Sequence, residues 1–407
     1  MNKLIKNKSF NVFTTYLIAV SFIALAFGFS DSILSNYYDN VYNATTAQRG
    51  FIEFPRELPG VLALFVIALL AKLGDFKIAV IAQFISMIGI MILAFYTPSF
   101  YTMTGVLFIF SMGQHIYLPL QDSLALSLYS RKDSGNLGAN IGNVKAVYTV
   151  FSLIASFLIF IGFRLGFFSF MTPIKWVFVI SGLCFFIAFL FLSSLHKQLP
   201  KGASNRPKLV VRKEYAYYYI LAVMNGVQKQ IVIVYSPWVI IKILGQGADT
   251  LSLLLMISSL CGIFFLPFLG RCLDRFGIRK MLYADAISFI IVYLAFAYMT
   301  YNIYVGNFQS VGIAALGLFA LYIIDRMSSQ MGFIRSVYLN SIVIDKSEVV
   351  STLSLGISLD HVVAILCSLV SGLIWETYGP HYIFILAASF SLVNLVIAKI
   401  VPLKDGV

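Results

Sequence analysis

The stretch GRCLDRFGIRK, Gly270 to Lys280, lies between two long apolar segments and decides how the chain is read. Its Asp274 has a counterpart in Asp75, at the end of AKLGD, Ala71 to Asp75, which also separates two apolar segments. A charged loop that recurs after the same number of hydrophobic passes marks a duplicated membrane-spanning unit. Composition agrees. With 60% hydrophobic and 11% charged residues over 407 positions and a mean hydropathy of +0.89, the chain holds more apolar side chain than a soluble core this long can hide.

A hydrocarbon core of roughly 30 Å takes about 20 apolar residues per helical pass. On that basis twelve segments emerge, near 10–36, 46–70, 76–96, 100–129, 138–165, 174–195, 215–243, 249–270, 280–301, 308–341, 348–374 and 380–401. They are long, continuous and rich in Leu, Ile and Phe, so each must satisfy its backbone internally as a helix rather than as an alternating strand. The predicted fold is an all-α membrane protein, with twelve transmembrane helices in two six-helix bundles related by a pseudo-two-fold axis. The first segment follows Lys3, Lys6 and Lys8 as a signal peptide would, but it is longer than such a core and lacks a small-residue cleavage pattern, so it is read as retained.

The net charge of +12 does not call for nucleic acid, because the basic residues are sorted by side. With both termini inside, only Arg49, Arg164, Lys175 and Lys242 fall in outer segments, while the loops assigned to the cytoplasm are lysine- and arginine-rich. This is the positive-inside pattern of an even number of passes. Cys184, Cys261, Cys272 and Cys367 lie in or beside apolar spans without metal or disulfide spacing, and are read as packing residues. The longest polar stretch, HKQLPKGASNRPKLVVRKE, divides the chain into an N-terminal bundle (1–195), a cytoplasmic linker (196–214) and a C-terminal bundle (215–407).

With that organisation and the motif Gly270, Asp274, Arg275, Gly277, Arg279 and Lys280, the chain resembles the major facilitator superfamily over essentially its whole length. The first copy departs from the family's pattern: Asp75 is kept, but Ala71 replaces the leading glycine and the basic continuation is missing. Span four reads Ser111-Met112-Gly113-Gln114 where many proton-driven exporters of the family carry an arginine. The resemblance implies a latch role for the two loops and a central pathway lined by spans one, two, four, five, seven, eight, ten and eleven. In such repeats the solute site lies at the bilayer midplane between the bundles.

Charge inside apolar spans is the second signal, since a charged side chain at the bilayer centre costs about 2.5–3.5 kcal/mol on insertion scales. The candidates for a pathway of solute or coupling ion are Asp31, Glu53, Arg56, Glu57, Lys145, Asn225, Lys229, Asp325, Arg326, Asp360 and His361. Glu53, Arg56 and Glu57 share one helical face beside Pro55 and Pro59, and read equally as solute contacts or as a structural ion-pair cluster. Asp31 reads as a pathway residue or, if its span is short, as an outer-surface one. Asp325 and Arg326 are adjacent and so do not face each other, and of the adjacent Asp360 and His361 only one is expected to point directly inward. His115 reads as a solute contact or a satisfied interior histidine, and Gln121, Asp122 and Arg335 as gates or caps. The run Tyr215, Tyr217, Tyr218 and Tyr219 reads as an interfacial belt.

The reading is a secondary active transporter that moves a small polar or charged solute by alternating access, with an organic anion or zwitterion favoured by Arg56, Lys145, Lys229 and Arg326. Proton coupling is expected, sodium being the alternative coupling ion; no cofactor or metal is called for. The alternatives are a proton-driven exporter of drugs or amphiphiles, and a receptor or scaffold that keeps the fold without transport. An enzyme is not indicated, because no metalloprotease helix, phosphate-binding glycine loop or nucleophile elbow is present in the sequence. The expected setting is the plasma membrane of a bacterium, both termini cytoplasmic, as a monomer whose partners are the solute and the lipid bilayer.

Overall fold

The computed structural model describes residues 2–128, 137–198, 211–345 and 348–402. Among the described residues the secondary structure is helical throughout, as apolar passes without water to satisfy their amides require. The helices are α1 (Asn2–Asp31), α2 (Leu34–Tyr42), α3 (Thr46–Leu69), α4 (Asp75–Phe95), α5 (Phe100–Ser127), α6 (Leu137–Arg164) and α7 (Trp176–Gln198). They continue with α8 (Ala216–Gln230), α9 (Ser236–Lys242), α10 (Ala248–Tyr304), α11 (Ile313–Ser329), α12 (Phe333–Ile342), α13 (Val349–Tyr378) and α14 (Pro380–Ile400).

Among the described residues eight helical runs are long and apolar enough to cross a membrane. The 57-residue α10 is one of them, and it holds two of the segments read from the sequence, joined at Gly277. The loop expected there has shrunk to one residue with φ 77, a conformation that glycine adopts without penalty, and helix resumes on both sides. Of the other predicted segments, α3 carries several charges, while the seventh is built from α8 and α9 and the tenth from α11 and α12. The linker 196–214 and the basic pair Arg131 and Lys132 lie largely outside the described residues.

Packing divides the chain into two compact units. The first comprises Met1–Val41 and Leu62–Asn205, and the second Tyr42–Val61 and Arg206–Val407. In the first unit α1 packs on α6 and α7, and α4 on α5 and α7. In the second, α10 packs on α11 and α14, and α8 on α13 and α14. The first two-thirds of α3, residues 46–61, belong to the second unit.

The core at one end of the second unit explains a departure from expectation. Tyr215 and Tyr218 are buried among Leu269, Ile278, Met281, Tyr338 and Val401, with Tyr217 and Tyr219 half-buried against them. These rings are internal packing rather than a membrane-surface belt, because the hydroxyl of Tyr215 has internal partners: it donates to Glu348 Oε2 (2.5 Å) and accepts from Ile344 N–H (3.2 Å). Arg212 completes this clasp with a two-pronged contact to Glu348, Nε to Oε2 at 2.8 Å and Nη2 to Oε1 at 2.5 Å. Glu348 lies outside the apolar run Thr352–Tyr378, and the hydrogen bonds from Arg212 and Tyr215 hold its carboxyl below the usual range.

Candidate functional site

The second unit gathers most of the intramembrane charges into one network. It starts on α3, where Arg49, Glu53, Arg56, Glu57 and Gly60 recur at helical spacing and form one stripe. Arg49 Nη1 reaches Glu53 Oε1 at 2.5 Å, Arg56 Nε reaches Glu53 Oε2 at 2.8 Å, and Arg56 Nη2 reaches Glu57 Oε1 at 2.8 Å. Glu57 Oε2 then accepts from Lys229 Nζ of α8 at 3.0 Å and faces His361 Nδ1 of α13 at 2.6 Å. A carboxylate only accepts, so with Glu57 ionised the histidine hydrogen sits on Nδ1.

Lys229 Nζ also lies 3.4 Å from His361 Nδ1 and 3.7 Å from Asp360 Oδ1. Both adjacent α13 residues therefore join the network, where one was expected to turn inward. A long ammonium lying across the face of α13 meets both side chains, which removes the constraint that neighbours on a helix diverge. The chain of contacts goes on through Asn225, whose amide donates to Asp360 Oδ2 at 3.2 Å and accepts from Arg335, and Arg335 Nη1 ends on Asp285 Oδ2 at 3.3 Å.

Two glycines make the close approach possible. A Cβ on Gly60 would lie 2.6 Å from the ring of His361, and one on Gly226 would lie 2.6 Å from the Asp360 carbonyl, so α3 and α8 can only seat on α13 without side chains there.

The named groups balance. Arg49, Arg56 and Lys229 face Glu53, Glu57 and Asp360, and Arg335 faces Asp285, so the network is neutral when His361 is neutral. That balance meets the cost of burying charge away from water. Glu53 and Glu57 are almost fully buried, whereas Lys229 is 22% exposed, more than Arg56 or any of its own partners.

Asp325 and Arg326 part company as their adjacency predicts. Asp325 is buried and accepts a hydrogen bond from Ser236 Oγ at 2.5 Å, while the Arg326 guanidinium lies 5.4 Å from the ring centre of Tyr322. In the first unit, Asp31 accepts from Gln114 Nε2 at 2.7 Å, tying the end of α1 to α5. Asp31 closes α1, and the nine-residue α2 that follows it carries Asn36, Asp39 and Asn40. His115 is buried on its own helix beside Ser111, 3.0 Å from Ser111 Oγ, and Lys145 is exposed on α6.

Of the loop residues, Asp75 opens α4 and accepts from Ser123 Oγ at 2.9 Å, where a carboxylate also suits the helix N-terminus. Arg279 donates to the Val401 carbonyl at 2.9 Å, closing the end of α14. Gly270 is half-buried, Asp274, Arg275 and Lys280 are exposed, and Arg275 sits 5.3 Å from the Phe276 ring. Sequence reasoning missed Arg49 and the Asp285–Arg335 pair as network members. The i, i+4 spacing of Arg49 and Glu53 carried the signal for the first.

The pattern of the Major Facilitator Superfamily matches residues 9–344, and again 218–405. Among solved structures, the nucleoside transporter NupG superposes with a TM-score of 0.73 at 17% identity, covering 97% of this chain and 100% of that one. The peptide transporter PepTSo of the POT family gives 0.74 at 10% identity, with 96% and 97% covered. At these identities the likeness concerns the fold. A search of curated protein sequences returns no match.

Proposed function

We propose, since the chain belongs to the Major Facilitator Superfamily and is an integral multi-pass membrane transporter, that it moves a small organic anion or zwitterion coupled to protons. The observation that carries this reading is the balanced network in which Lys229, half-buried, is the most exposed of the charged groups. A cation already held by Glu57 and Asp360 is presented without needing a new counter-ion, and an anionic group can displace either carboxylate by hydrogen bonding to the same ammonium. Protons enter the same account. A proton taken up within this neutral cluster adds one positive charge, and an anion bound at Lys229 cancels it, so each favours the other.

Alternating access follows if anion and proton bind inward-open and outward-open states unequally. The loops at Asp75 and Gly270–Lys280 serve as latches in this reading, and Asp31, Lys145, Asp325 and Arg326 as further pathway residues. The protein works as a monomer in a bacterial plasma membrane with both termini inside.

The test is a thermal-shift screen of purified protein against metabolite classes at two pH values, followed by proteoliposome flux with the compounds that stabilise it. Lys229→Gln is expected to weaken a stabilising anion by roughly ten- to a hundredfold, the value of hydrogen bonds to a charged group. Undiminished binding and flux in that variant would refute the assignment.

A further inference from the structure

The seventh apolar segment is not a regular helix. α8 ends at Gln230, the backbone widens into a π turn over Ile231–Tyr235, and α9 resumes at Ser236. Pro237, at the start of α9, supplies the cause. Proline has no N–H, and its ring collides with the carbonyl four residues back, here that of Ile233. A turn that bonds across five residues instead of four relieves the collision. Because it takes in one residue more than an α turn, it rotates the residues before it by about 100° against those after it.

Immediately before the turn stand Gln228, Lys229 and Gln230. In the rotated setting Lys229 lies on Glu57 and Asp360, while Gln228 and Gln230 on either side of it are 3% and 0% exposed. A widened turn has poorer hydrogen-bond geometry than an α turn, so something must hold it against relaxation.

The far side of the turn shows what does. The Tyr235 hydroxyl donates to the Ser368 carbonyl on α13, and Ser236 Oγ donates to Asp325 Oδ2 on α11 at 2.5 Å. Gly50 of α3 presses on the same point, where a Cβ would lie 3.1 Å from Tyr235 Oη. On the near side the Tyr293 hydroxyl supports the Gln228 carbonyl at 3.3 Å.

We propose that Pro237 and the π turn it imposes, pinned through Ser236 to Asp325, are a positioning device that aims Lys229 at Glu57, and that relaxation of the turn to α-helix withdraws the ammonium from the network. Pro237, Ser236 and Asp325 act here through Lys229. The use of this motion in transport rests on the solute reading above; the geometry itself is testable without a solute.

The experiment uses the full chain in lipid nanodiscs. Acetylation of Lys229 by a water-soluble N-hydroxysuccinimide acetate is followed by peptide mass spectrometry, alongside amide hydrogen exchange over residues 225–236. Pro237→Ala is expected to raise Lys229 acetylation roughly tenfold, as a charge-assisted bond is lost, and to slow exchange across the former π turn. Deletion of Ile233 from the Pro237→Ala chain removes the extra residue and restores the original register without a wide turn, so acetylation of Lys229 returns to its original value while exchange stays slow. A merely structural proline would not be rescued by a deletion. If Pro237→Ala does not fold, Ser236→Ala frees the pin with the proline in place and gives a smaller rise in acetylation. Acetylation and exchange unchanged in the folded variants would overturn the proposal. A Lys229→Gln chain that still binds its solute would instead sink the transport assignment and leave this result standing.

Discussion

The two units of this chain treat charge differently. Among the described residues of the first unit a carboxylate–amide contact joins Asp31 to Gln114, whereas the second links Arg49, Glu53, Arg56, Glu57, Lys229, Asp360, Asn225, Arg335 and Asp285 without a break. Buried charge is admitted only in balanced sets, and a set draws on several helices at once. The second unit is therefore the electrically specialised one, and variants that unbalance it should hurt far more than the corresponding change in the first.

Glu57→Gln is the severest way to test that contrast. It leaves Lys229 and Arg56 short of a buried counter-charge, with an expected loss of about 3–5 kcal/mol, read as a collapse of thermal stability together with flux. A Glu57→Gln chain as stable as wild type would break the comparison. Gly60→Ala pushes a methyl into the ring of His361, which should cost about 1–3 kcal/mol and lower the melting temperature without changing any charge. Asp31→Asn removes one charge from a contact with a neutral amide, so the expected loss is nearer ~1 kcal/mol; a loss as large as that of Glu57→Gln would show the first unit to be equally specialised.

The smallest effect belongs to Glu348, at the clasp with Arg212. Its carboxyl is held below the usual range, so its contribution is complete above the ordinary carboxylate pKa and is lost as pH falls through the lowered value. Glu348→Gln should therefore leave a slightly lower melting temperature at neutral pH and a gentler decline on acidification, measured as a melting series down from neutral pH. A large effect is not expected, because Arg212 is 40% exposed and such pairs are screened.

The helical segments were legible because membrane thickness imposes a length, and α4, α6 and α14 end within a few residues of the apolar runs that announced them. Glu53, Arg56 and Glu57 were legible as a face because helix spacing alone puts them together. Their partners were not: whether that face meets Lys229 or lipid depends on Gly60 and Gly226 letting helices approach, and neither glycine differs in sequence from a lipid-facing one. The π turn was hidden for another reason. Apolar continuity over 215–243 reads as a plain helix, and only Pro237 close behind a polar triplet hints that the register slips. The tyrosines at 215–219 misled because an aromatic at a membrane boundary looks the same whether its hydroxyl meets water or Glu348.

The placement of residues 42–61 in the second unit bears on how such a chain can be inherited. A recombination event that joined related chains at the 196–214 linker would carry Lys229 and His361 from one ancestor and their neutralising glutamate from the other. Unless the foreign α3 supplied an acid on the same turn, the offspring would leave Lys229 with Asp360 as its counter-charge and His361 without its carboxylate. Exchange of modules at that linker is thereby restricted to ancestors that already agree on position 57.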